Sequence, residues 1–107
     1  SIIHANTPTD HAIATMKALQ RDYGSGYPET QATFTWWIGD IYAANLGPTR
    51  SQRLNPYATY VKNGITWGGG SDTGVTPFPA RLGLWASTAR ETSGQVWGTQ
   101  PFGTAES

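Results

Sequence analysis

The chain predicts an α/β fold in which parallel strands carry flanking helices. Short β-branched or aromatic runs alternate with amphipathic stretches, and Gly, Asn or Pro punctuates nearly every junction. An order of strand, helix, strand, helix, strand, helix is the grammar of right-handed parallel structure.

The first strand is Ile2-Ile3-His4. It runs through Ala5-Asn6 into Thr7-Pro8-Thr9-Asp10, where Thr7 can cap a helix with Pro8 at its first position. Ile13, Met16, Leu19 or Gln20, and Tyr23 then recur at helical spacing until Gly24-Ser25-Gly26 ends the helix. The second strand is read on Ala32-Thr33-Phe34-Thr35-Trp36-Trp37-Ile38, stopped by Gly39-Asp40 and followed by a long loop. Asn55-Pro56 opens a short helix bearing Tyr57, Tyr60 and Val61, which ends at Asn63-Gly64. The third strand is Ile65-Thr66-Trp67-Gly68-Gly69, and Gly68 to Gly70 suit a sharp turn or a close backbone approach before Ser71-Asp72. Leu82, Trp85 and Ala89 mark a last helix, with Arg90 near its C-terminal end and Gly94 closing it. The tail over residues 95–107 has no useful period.

At 107 residues the chain holds one compact unit, far short of the roughly 250 residues of a complete eight-stranded α/β barrel. Charged residues make up 13% against a usual value of about 25%, while aromatics reach 12%, so the surface is expected to be covered by further segments or another chain. Net charge is zero and no basic run occurs, which argues against nucleic acid as a partner. No apolar stretch approaches the roughly 20 residues of a membrane span, so no membrane partner is expected. With no Cys, neither disulfides nor thiolate metal sites are available.

Ligands of parallel α/β structures collect at the C-terminal ends of the strands, which directs attention to His4, to residues 36–40 and to residues 70–72. His4 ends the first strand and Asp72 follows the third, so both project to one rim. His4 also fits a hydrogen-bonded structural histidine, and Asp72 a turn-forming carboxylate. His11 lies seven residues after His4, which fits no metal-pair spacing, and is read as a surface residue or a support for the site. Trp36 and Trp37 point to opposite faces of their strand, one toward the core and the other toward a pocket, with Asp40 as a turn residue or a carboxylate near that pocket. The glycines form neither G-x-G-x-x-G nor a Walker motif, and Ser71 lacks a nucleophile-elbow context, so nucleotide binding and serine hydrolysis are unsupported.

Taken together, His4-Ala5-Asn6, Phe34-Thr35-Trp36-Trp37-Ile38-Gly39-Asp40, Leu46-Gly47-Pro48 with Arg50, Arg53-Leu54-Asn55-Pro56, and Gly69-Gly70-Ser71-Asp72 with Val75-Thr76-Pro77 resemble amidohydrolase family 3, the YtcJ-like metal-dependent hydrolases. The resemblance covers most of residues 1–104. It implies part of a (β/α)8 barrel that hydrolyses non-peptide C–N bonds of a small-molecule substrate through metal-activated water, with a divalent metal, zinc by analogy, as cofactor. His4 would be a metal ligand, Asp72 the proton shuttle and also a ligand, and Trp36, Trp37 and Asp40 would shape the substrate pocket. The family's H-x-H pair, its bridging carboxylate or modified Lys and a further His have no counterpart here, so other barrel segments or another chain would have to complete the site. Only residues 24–31 separate the first helix from the 32–38 strand, where the family places another strand and helix. The alternative is a non-catalytic aromatic-rich module, for example for carbohydrate, which would be nearly all β.

Overall fold

The computed structural model describes residues 1–95 and 102–107. The fold is a small mixed α/β domain of four helices and two short parallel strands in an unclosed sheet. In chain order these are α1 (Asp10–Tyr23), β1 (Glu29–Thr30), α2 (Thr33–Ser51), α3 (Tyr57–Lys62), β2 (Gly68–Gly69) and α4 (Ala80–Ala89). Of the tail read as irregular, residues 96–101 lie outside the described residues.

β1 is central. Glu29 and Thr30 pair in parallel with Gly68 and Gly69, while Ile2 forms a parallel bridge to Pro28 on the other side. Three parallel segments therefore lie side by side in chain order. The first is a single bridge with flanking backbone bonds, Ile2 N to Tyr27 O at 2.8 Å and Ala5 N to Glu29 O at 3.0 Å, rather than a full strand.

α1 begins two residues later than the Thr7 cap implies. Thr9 is the N-cap, its Oγ1 accepting from Ala12 N at 3.1 Å, and Gly24 terminates the helix at φ 58°. Ile13 and Met16 bury the helix against Tyr57 and Tyr60 of α3, Ile65, Ala32 and Ala86 of α4. Gln20 ties the end of α1 to the β2 segment, donating to Thr66 O and accepting from Thr66 N, both at 2.9 Å. Thr30 donates to Tyr57 Oη at 3.1 Å, so alternate β1 side chains face this helical layer. Glu29, on the other face, is exposed.

The strand expected over residues 32–38 is the first turns of α2. Phe34, Trp37, Ile38 and Ile41 recur at i, i+3, i+4 and i+7, a helical stripe that outweighs the β-preference of the individual residues. The strand lies earlier, inside residues 24–31, so α1 leads directly into β1. The expected long loop after Asp40 is also helical up to Ser51; α2 as a whole is interrupted at Ile38 (φ −125°) and at Gly47 (φ 76°). Pro48 explains the second break: it lacks an N–H and forces the preceding residue out of helical conformation. The third strand contracts to Gly68–Gly69, with no atom packed tightly against these glycines.

Arg90, expected to face the α4 dipole from near the helix end, is the C-cap itself at φ 53° and is fully buried. Its guanidinium donates to the carbonyls of Leu54 (2.9 Å), Gly103 (3.0 Å), Asn55 (3.2 Å) and Gln52 (3.3 Å). Charge-assisted bonds to several carbonyls each contribute about 1.5–3 kcal/mol. Arg90→Met is therefore expected to lower stability by about 3 kcal/mol or more in urea denaturation, because it leaves buried carbonyls unpaired.

Burial raises the Tyr57 phenol from 10.0 to about 12 and pushes Tyr60 up as well. The unfolded chain thus releases these protons first. Their contribution is complete below about pH 10 and is lost as pH rises through the folded value. Helical circular dichroism should therefore fall together with the appearance of phenolate absorbance above that pH, and Tyr57→Phe should weaken the dependence.

Candidate functional site

The C-terminal ends of the parallel segments carry His4, Gln31 and the loop after β2. His4 sits in a turn at φ 57°, closed by Asn6 N donating to His4 O at 2.7 Å. Asn6 is buried, and its Oδ1 accepts from Gln31 N at 3.2 Å, which binds this turn to the end of β1.

Asp72 also has positive φ, 54°. Its carbonyl accepts from Val75 N at 2.8 Å and Thr76 N at 3.3 Å, forming a compact turn. Thr76 donates its hydroxyl proton to Ser71 O, so the 2.7 Å contact between the Thr33 and Thr76 hydroxyls is donated by Thr33. The Asp72 loop is thereby hooked to the first residue of α2.

These supports bring His4 Nε2 within 3.9 Å of Asp72 Oδ2. The side chains are 50% and 37% exposed, so both reach solvent at one mouth. On its other edge His4 Nδ1 is hydrogen-bonded to Gln31 Oε1 at 2.9 Å. Phe34 stacks on the imidazole at 5.8 Å and meets Trp37 edge-on at 5.8 Å. Gln31 and Phe34 were not singled out from the sequence. The helical spacing from Phe34 to Ile41 was the signal for the second; nothing local marked the first.

Trp36 and Trp37 are successive residues of a helix, about 100° apart around its axis rather than on opposite faces of a strand. Trp37 is 45% exposed and packs edge-on against Phe34, which stacks on His4. Trp36 O accepts from Ser93 N at 2.7 Å. Asp40 Oδ1 accepts from Thr92 Oγ1 at 2.9 Å and Gln95 Nε2 at 3.0 Å, so the carboxylate fastens the segment after α4 to α2. None of the three lines a cavity of about 470 Å³ whose walls include Tyr57, Trp67, Ser71, Phe78 and Leu84. His11 is exposed on α1.

Imidazole nitrogen and carboxylate oxygen are suitable donors for a divalent ion, and the His4 and Asp72 atoms face each other at a distance a shared ion can span. The fit is partial. Among the described residues no group of three or more His, Cys, Asp or Glu is placed to hold a metal. No known protein family, curated protein or solved structure matches the chain.

Asp72 adopts φ 54°, a left-handed conformation that costs a non-glycine residue backbone strain. Asp72→Gly is expected to leave stability unchanged or raise it by up to about 1 kcal/mol, read from its denaturation midpoint. A loss larger than about 1 kcal/mol would make the carboxylate a structural group.

Proposed function

We propose that the chain is part of a metal-dependent hydrolase acting on non-peptide, amide-type C–N bonds of a small molecule, contributing His4 and Asp72 to a site completed by other barrel segments or another chain. The 3.9 Å approach of two groups 68 positions apart in sequence is the observation that carries this reading. Parallel segments in chain order, a helical layer on one face and an exposed Glu29 on the other support an arc of a (β/α)8 barrel, whose sites gather at the C-terminal ends of the strands.

His4 Nε2 and the Asp72 carboxylate would hold the ion, zinc by the resemblance drawn above. Such an ion would supply Lewis acidity, lowering the pKa of bound water to about 7 and polarising the substrate carbonyl. The Asp72 carboxylate would take the proton released by the attacking water and return it to the leaving nitrogen, a role that requires hydrogen-bond reach to both. Phe34 and Trp37 form an apolar wall beside His4. The aromatic binding module is less well supported: an all-β scaffold conflicts with the four helices, and the exposed Tyr23, Trp37 and Phe78 lie on separate parts of the chain.

Titration of the isotopically labelled chain with Co²⁺, followed by paramagnetic effects on its amide spectrum, tests the pair. Saturable effects centred on residues 4, 31 and 71–73 are expected, lost in both His4→Ala and Asp72→Ala. Undiminished effects in both variants would exclude these residues as the ion's ligands.

A further inference from the structure

We infer that Gln31 is a positioning residue for His4: its side-chain oxygen accepts the Nδ1 proton and leaves the Nε2 lone pair directed at the space shared with Asp72. The inference rests on the reading of His4 and Asp72 as ion-binding groups and assigns the residue that prepares the imidazole for that task.

A neutral imidazole has one N–H and one lone pair, and an amide oxygen only accepts. The 2.9 Å contact between His4 Nδ1 and Gln31 Oε1 therefore makes Nδ1 the protonated nitrogen. The opposite edge agrees. At 3.9 Å, Nε2 stands beyond hydrogen-bond distance from Asp72 Oδ2, although an Nε2–H beside an accessible carboxylate would draw it closer.

Gln31 is itself held in place. It is buried, its backbone N–H donates to Asn6 Oδ1 at 3.2 Å, and its carbonyl accepts from Asn55 Nδ2 at 3.1 Å. Phe34, three residues on, stacks within 19° of the imidazole plane and restricts its rotation. Metal-binding histidines commonly use such an acceptor on the second nitrogen, which fixes tautomer and ring direction together.

Histidine side-chain ¹H–¹⁵N correlation spectra of the full chain, under mildly alkaline conditions, read the tautomer without any metal. His4 is distinguished from His11 by comparison with His11→Gln. The expected result is Nδ1–H in the natural sequence, a shift toward Nε2–H in Gln31→Leu, and retention of Nδ1–H in Gln31→Glu, whose carboxylate also accepts. Nε2–H in the natural sequence, or an unchanged tautomer in Gln31→Leu, would overturn the inference. Co²⁺ affinity should fall about 10–100-fold in Gln31→Leu and recover in Gln31→Glu. Nδ1–H without any Co²⁺ uptake would instead overturn the ion-binding reading and leave the tautomer assignment to Gln31 intact.

Discussion

Asn55 is the constraint on which the arrangement turns. This residue is fully buried and adopts positive φ, 48°. Its backbone N–H donates to Asn6 O at 2.6 Å, its Nδ2 donates to Gln31 O at 3.1 Å and Thr35 Oγ1 at 2.9 Å, and its carbonyl accepts from Arg90 at 3.2 Å. One side chain and its peptide groups thereby join the His4 turn, the end of β1, the start of α2 and the cap of α4. Buried polar groups are costly unless bonded, so the network strongly disfavours small displacements among these segments. Asn55 Oδ1 has no partner among the described residues, an expense that the other bonds must offset.

Much of the order of elements was legible in the sequence because periodicity and helix ends are local signals. Ile13 and Met16 at helical spacing, Gly24 as terminator, and Asn63-Gly64 after α3 correspond to observed features. The second strand was misplaced because Thr, Phe and Trp favour strands individually, whereas Phe34, Trp37, Ile38 and Ile41 recur at helical spacing in the sequence. A two-residue strand such as Glu29–Thr30 leaves almost no periodic signal of its own.

The rim was legible to a different degree. His4 and Asp72 followed from the rule that parallel strands present ligands at their C-terminal ends, and they are neighbours in space. Asp40 reads in sequence as a turn residue or a carboxylate near a pocket, with the turn role favoured, and its partners are Thr92 and Gln95. Gln31, Asn6 and Asn55 depend on contacts between residues more than twenty positions apart, and neither spacing nor residue type reveals such pairings. Arg90 shows the same limit, since a cation at a helix end looks like an ordinary dipole partner until its four carbonyl acceptors are known.

Among the described residues the rim brings together one imidazole, His4, and one carboxylate, Asp72. The ion environment tests this account most directly. X-ray absorption by the Zn²⁺-loaded chain should show one imidazole nitrogen at about 2.0–2.1 Å and a carboxylate oxygen at about 2.0–2.2 Å, with water filling the remaining positions. A first shell of oxygen alone, with no imidazole scattering, would contradict it.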